Sequence, residues 1–476
     1  MVDGGALPSC LDGAYIHNGP NPQFFPKSPY HMLGGDGMLH VIKISQGKAT
    51  FCSRYVKTHK YIMEGKIGHP IVPNFIAGFN GVVPGMARLA LMCARVLTKQ
   101  FDPLTHGFGV GNTSVALLCG RLFALCESDL PYEVKITENG DIITLGRHDF
   151  ESREPFFRMT AHPKTDKVTG EAFGYGYDFL RPFLTFYRID GGGRKQKGVG
   201  IFSMGKNCTV VHDFGLTENF IVFSDAQIVI NPLWVMRGRS PVGIDLDKIP
   251  RMGIISRCAE DDSGMWWIDT PGFNMLHCVN AWEEDGGGGD GAGDTNIVMV
   301  ASKIESVEKI FEITDLPQST MEKVTINVKA KTVERQSLST QGLDFAAINP
   351  AYAAKKIRYV YASIIGSTTL VGVAKLDLSL TEEDGRDCMV ASRQYGSGCD
   401  GSEPFFMARD LNNPSVDEDD GYLVTYMHDE NTEESKVLVM DAKSPTLDIV
   451  AAVKLPQRVP SGFHGLFIPE SDLKKL

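Results

Sequence analysis

Four histidines stand in short apolar runs that look like strand ends: His162 in RMTAHPK, His212 in CTVVHDF, His277 in FNMLHCVNAWEE and His464 in SGFHGLF. They are separated by 50, 65 and 187 positions, the last equal to three steps of about 62. Strands spaced evenly around an axis would aim one histidine each at a common point. Neutral imidazole suits Zn, Cu, Fe and Ni alike, so the ligand set alone does not name a metal. His148 (GRHDFE) and His428 (TYMHDEN) occupy similar contexts, so structural histidines remain the plain alternative. A metal-bound histidine donates its second ring N–H to a carboxylate or carbonyl, which fixes tautomer and orientation. Three acids sit in apolar strand-like settings where a charge needs a reason: Glu127 (FALCESDLPYEV), Asp344 (GLDFAAINP) and Glu403 (GSEPFFMARD). A strand-edge acid bonded to a backbone N–H is the other reading. Because the sequence carries no flavin, nicotinamide or haem motif, a metal is the one redox agent it offers.

Positioning such residues falls to strands. Runs rich in Val, Ile, Phe, Tyr and Thr recur along the chain (LHVIKI, RLFALC, NFIVFSD, NIVMVAS, IRYVYAS, KVLVMDA), broken by Gly, Asn, Asp and Pro clusters. This predicts an all-β fold: a sandwich, barrel or propeller. No crisp internal repeat is visible. One convincing helix spans Pro84 to Gln100, and a second is expected near Ile304 to Leu316. The Gly/Asp-rich stretch Glu284 to Asp294 reads as a surface loop.

Composition removes several function classes. A net charge of −11 over 476 residues argues against nucleic acid, whose phosphates need a basic face. Ten cysteines without a CxxC pair read as free thiols rather than a disulfide framework or a zinc site. No apolar run is long enough to span a bilayer, and the first residues read as neither signal nor transit peptide. Nothing in the sequence specifies an oligomer.

Motifs along the whole chain, among them LDGAYIHNGPNPQF, GGDGMLH, RLFALCESDLPYEV, MTAHPKTDKVTGE, VHDFGLT, PGFNMLHCVNAWEED, YGSGCDGSEPFFMARD and GFHGLF, resemble the carotenoid cleavage dioxygenases, above all the plant type-4 group. The resemblance implies one domain over residues 1–476, a seven-bladed β-propeller with a helical cap. It implies Fe(II) held by His162, His212, His277 and His464, with Glu127, Asp344 and Glu403 orienting the last three. Thr113 (GNTSVALL) falls near the open coordination position. The implied reaction cuts a conjugated double bond of a carotenoid or apocarotenoid with O2, at the 9,10 (9',10') or else the 7,8 (7',8') position. A retinyl-ester isomerohydrolase using the same iron is a further alternative, and a non-enzymatic propeller scaffold is the alternative from another class.

On the Pro84 to Gln100 helix, Leu89, Met92, Val96 and Leu97 form an apolar stripe flanked by Arg88, Arg95 and Lys99, as in an interfacial helix. The alternative is packing on the core. The resemblance favours contact with a lipid surface, a plastid plastoglobule or thylakoid. The chain departs from many relatives in having Asp344 for Glu (as the type-4 group does), Ser461 for Tyr, and a longer loop after Trp282. The shorter acid and the smaller residue are expected to alter the surroundings of His277 and His464.

Overall fold

The computed structural model describes all residues except 1, 27–30, 179, 206, 287–294, 312–315, 383–385 and 414–416. Its strands form seven antiparallel sheets of four or more strands and one small three-stranded sheet. Each large sheet is built mainly from strands consecutive in sequence, such as Ser114–Leu118, Arg121–Leu125, Tyr132–Ile136 and Ile142–Arg147. Neighbours in sequence pair through tight turns, which is the cheap way to form non-parallel pairs.

Two sheets break that rule. The strand His464–Pro469 pairs with Gly13–Pro20, placing the two ends of the described chain in one sheet with Gly37–Ser45 and Lys48–Tyr55. In the register, Asn18 opposes His464. The strand Val2–Gly4 likewise joins the sheet that contains Ile449–Lys454.

The apolar cores lie between sheets. Val115, Leu122 and Val134 pack on Ile16 and Val41 of the preceding sheet. Phe173 and Phe186 pack on Phe214 and Phe223 of the next. The last of seven such clusters joins Val424 and Val437 to Tyr15 and Ile42, so the seventh sheet packs on the first. Central strands are therefore buried on both faces, as in Tyr359–Ile365, where Val360 and Tyr361 enter different clusters. Strands of this kind read as continuous apolar runs rather than alternating ones. Each buried large side chain stabilises the fold by about 1.5–3 kcal/mol.

Helices are few. α1 (His59–Ile67) is capped by Thr58, whose side chain accepts from Tyr61 N, and ends at Gly68 with φ 82°. α2 (Val82–Leu97) matches the expected helix within three residues at each end. The helix expected near Ile304 to Leu316 is not formed as such: strand Thr295–Ile304 reaches the segment's start, and a single 3-10 turn follows at Val307–Lys309. Residues 312–315 of that expectation, and 287–294 of the Gly/Asp-rich loop, lie outside the described residues. All ten cysteines are free.

Candidate metal centre

Of the four histidines, the three acids and Thr113, all but Glu127 stand on, or within two residues of, the strand that leads their sheet. His277 lies in Met275–Asp285, Asp344 in Leu343–Ala347, and His464 opens His464–Pro469. His162 and His212 immediately precede Lys164–Thr165 and Phe214–Leu216, and Glu403 sits between Cys399–Gly401 and Phe405–Ala408. Glu127 follows Arg121–Leu125, and Thr113 precedes Ser114–Leu118.

The four histidines converge. One ring nitrogen from each lies within 4.8 Å of all the others. His212 Nε2 is 3.2 Å from both His162 Nε2 and His277 Nε2. Three of the opposite ring nitrogens face acids. His277 Nδ1 is 2.7 Å from Asp344 Oδ1, and His464 Nδ1 is 3.0 Å from Glu403 Oε1. His212 Nδ1 lies 2.6 Å from Glu127 Oε1. That contact pairs the Glu127 carboxylate with the His212 ring. His162 has no acid partner among the described residues; its backbone N–H donates to Thr160 Oγ1.

This arrangement decides the protonation of the centre. Carboxylates only accept, so Asp344 and Glu403 hold the proton on Nδ1 and leave a lone pair on Nε2. Those lone pairs face one another across about the distance that adjacent ligands keep around an ion with bonds of about 2.1 Å. Converging lone pairs repel unless a cation lies between them, so the residues present fit a metal ion. Burial and the neighbouring histidines push His162 well down from the ordinary imidazole range, keeping it neutral. For His212 burial pushes the same way, but the Glu127 carboxylate outweighs it and the net direction is up. Burial would raise the Asp344 carboxyl; His277 and the Phe345 N–H hold it below its ordinary range.

The acids are themselves held. Asp344 accepts from Phe345 N at 2.8 Å and Ser319 Oγ at 3.0 Å. Glu403 accepts from Gly465 N at 3.1 Å. Beneath the histidines, Lys164 ties three ligand strands together. Its Nζ is 2.9 Å from Asp213 Oδ1 and donates to the Cys278 carbonyl at 3.1 Å, while Cys278 N donates to Asp213 Oδ2 at 2.8 Å. These are the neighbours of His162, His212 and His277, and their part was missed in the sequence although HPK and HDF flank the ligands.

The histidines His212, His277 and His464 line a cavity of about 690 Å³. Its walls are largely aromatic and apolar, with Phe75, Phe79, Phe108, Phe311, Phe345 and Phe463 among them. Phe345 was also missed. The pairing of Leu343–Ala347 with its neighbour skips one residue between Asp344 and Ala346, and Phe345 takes φ 48°. That bulge turns two successive side chains toward the site: Asp344 to His277, and the Phe345 ring to within 5.4 Å of the His277 ring. Thr113 and Glu127 line the same cavity.

Leu89 and Met92 line this cavity and are half-buried. Val96 is also half-buried, and of the stripe only Leu97 is exposed, at 84%. Ser461 is exposed and bonds to Asp400.

The profile of a family described as Retinal pigment epithelial membrane protein (RPE65) matches residues 1–469. The chain belongs to this carotenoid oxygenase family. It is 54% identical, over 99% of its length and 78% of the relative, to a probable carotenoid cleavage dioxygenase 4, chloroplastic, of Arabidopsis thaliana. It is 46% identical, over 79% of its length and 99% of the relative, to a zeaxanthin 7,8(7',8')-cleavage dioxygenase, chromoplastic, of Crocus sativus. The lignostilbene dioxygenase of Pseudomonas brassicacearum has the same fold, with a TM-score of 0.80 at 20% identity over 98% of this chain and 94% of that one. Membership places the carotenoid oxygenase chain among the non-haem dioxygenases.

Proposed function

We propose that the chain is an Fe(II)-dependent dioxygenase that cleaves a conjugated double bond of a carotenoid or apocarotenoid with O2 into two carbonyl products, at the 9,10 (9',10') position. The observation that carries this reading is the convergence of four histidine ring nitrogens beside a large aromatic cavity. His162, His212, His277 and His464 would hold the iron; Glu127, Asp344 and Glu403 would orient the last three. When bound, the iron supplies the chemistry with O2. The chain's own contribution is positional. The aromatic walls seat a polyene, exclude water and set which bond lies beside the histidines. Thr113 would stand near the position left open to O2. The 7,8 alternative draws support from the name of the Crocus relative, and the depth of the cavity decides between them. A retinyl-ester isomerohydrolase would use the same histidines without consuming O2. A scaffold has less to recommend it, because it needs neither the convergence nor the cavity.

Seven large sheets, six cores between consecutive sheets and a seventh that joins the last sheet to the first support a seven-bladed β-propeller, formed as one domain over 1–476. A helical cap over the iron-bearing face is supported by Leu89 and Met92 of α2, which share the cavity with the histidines. Val83 (79%), Leu97 (84%), Leu233 (68%) and Met236 (64%) are exposed on α2 and the adjoining turn Pro232–Arg237. Apolar exposure of this kind fits a lipid surface, as a plastoglobule or thylakoid would offer, and the chloroplastic and chromoplastic relatives support a plastid. Replacing these four residues by serine is expected to lower sedimentation with galactolipid vesicles about tenfold or more. Iron content and melting temperature should stay at wild-type values. Unchanged sedimentation would remove the lipid contact.

The deciding experiment loads the protein with iron anaerobically. β-Carotene and an apo-8'-carotenal are then added, with and without O2, and products are weighed by mass spectrometry. Two carbonyl fragments that need both iron and O2 are expected, with masses that name the bond. An O2-independent alcohol from a retinyl ester would favour the isomerohydrolase. Failure to bind iron would revive the scaffold.

A further inference from the structure

The cavity has a second chemical character away from the histidines. Asp36, Lys60 and Glu64 all line it, yet all are buried, at 3%, 7% and 1% exposure. Lys60 Nζ lies 2.8 Å from Asp36 Oδ1 and 2.9 Å from Glu64 Oε2. The remaining carboxylate oxygens are taken by backbone donors: Gln23 N on Asp36, and Ile71 N and Val72 N on Glu64. An ammonium has three N–H donors, and two of the three on Lys60 are used. His31 belongs to the same loop as Asp36, lines the same cavity and is 6% exposed. Its Nδ1 accepts from Leu33 N at 3.4 Å, which places the ring proton on Nε2. Nε2 has no hydrogen-bond partner among the described residues. Two donors with capacity to spare therefore stand in the wall of an otherwise apolar chamber. Such donors are costly in an apolar cavity unless a ligand oxygen meets them.

We propose that His31 and Lys60, the latter fixed by Asp36 and Glu64, form a second subsite that takes a neutral oxygen (hydroxyl, keto or epoxide) on the terminal ring of the polyene. This rests on the reading of the cavity as a polyene site. The subsite anchors one end of the substrate while the aromatic walls near His277 and His464 receive the bond to be cut. Oxygenated polyenes are then the preferred substrates over their hydrocarbon counterparts, and His31 and Lys60 are specificity-determining residues. The residues concerned come from the 31–36 loop and α1, elements that carry none of the four histidines.

The test compares zeaxanthin with β-carotene, which differ by the ring hydroxyls. Iron-loaded wild-type protein is expected to favour zeaxanthin about 5- to 20-fold in kcat/KM. The variant His31→Leu is expected to bring that ratio close to one, and His31→Gln, which keeps a side-chain donor, to restore part of it. Lys60→Met strands two buried carboxylates, so the His31 pair carries the comparison. The same preference is read without turnover, as dissociation constants of both carotenoids for the iron-loaded protein under argon. Equal affinities in the wild type, or a ratio that His31→Leu leaves unchanged, overturn the subsite. A binding preference that persists while neither carotenoid is cleaved in O2 overturns the reaction instead and leaves the subsite standing.

Discussion

Replacing His277 by alanine is expected to reduce bound iron from about one per chain to below about a tenth, and to lower product formation at least a thousandfold. The same result is expected for His212 and His464. Each supplies one of the converging nitrogens, and a site of three imidazoles loses both an anchor and the geometry that the others share. The fold should survive. The sheets are held by seven apolar clusters, and no iron ligand belongs to any of them. Circular dichroism and gel filtration should therefore match wild type while elemental analysis does not. His162 is the informative fourth case, because no acid fixes its ring; its replacement tests whether four ligands or three hold the ion. A single-histidine variant that keeps full iron and full activity would end the four-ligand reading.

The second large effect is expected from the acids behind the histidines. Asp344→Asn, Glu403→Gln and Glu127→Gln should each weaken iron binding or activity about 10- to 100-fold. A carboxylate can only accept, and so it forces the proton onto Nδ1; an amide can also donate, and it then permits the tautomer that turns a proton toward the ion. Asp344 should show the largest effect. It is 2% exposed, bonded to His277, Phe345 N and Ser319 Oγ, and seated in the bulge that also places the Phe345 ring. Glu127 should show the smallest, because its partner His212 is the most exposed of the three acid-paired histidines. Iron affinity by competition with a chelator orders the three variants. Equal affinities in all three and in wild type would mean that strand position alone orients the rings. Acid has a parallel effect on the metal-free protein. The Asp344 carboxyl is held low by His277, so its contribution to stability is complete above the unfolded value of about 3.9 and is lost as pH falls through the lower folded value.

The histidines and their acids could be read in the sequence because each ligand occupies a short apolar run at the head of a sheet, where a polar side chain is conspicuous. The resemblance then assigned Glu127 to His212, Asp344 to His277 and Glu403 to His464, and those are the pairs that come together. The number of sheets could not be read from periodicity. Strands such as Tyr359–Ile365 bury both faces, so they carry no alternation that marks which sheet they face. α2 was placed correctly, but its faces were not distinguished. The helix is apolar around most of its circumference, and helical spacing alone does not separate Leu89 and Met92, which line the cavity, from Val83 and Leu97, which are exposed. Phe345 was hidden because its placement depends on one skipped partner in a ladder, and Lys164 because its two partners, Asp213 and Cys278, come from distant segments. The segment after Ile304 has helix-like composition, but the strand that precedes it continues to Ile304, and the described residues that follow form a 3-10 turn at Val307–Lys309.

The pairing of His464–Pro469 with Gly13–Pro20 has a consequence for the order in which the protein is made. The strand that carries His464 leaves the ribosome long after its hydrogen-bonding partner, Gly13–Pro20. During synthesis the exposed edge of Gly13–Pro20 must wait, open to mispairing, until nearly every other strand has emerged. His162, His212 and His277 are all translated well before, yet the fourth nitrogen is missing until that edge is covered. A nascent chain can therefore offer at most an incomplete site, and full metal affinity arises in the same event that seals the sheet. Iron loading thus reports on completion of the fold, and a ribosome-bound chain arrested before residue 464 should release the ion to a chelator that the finished protein resists.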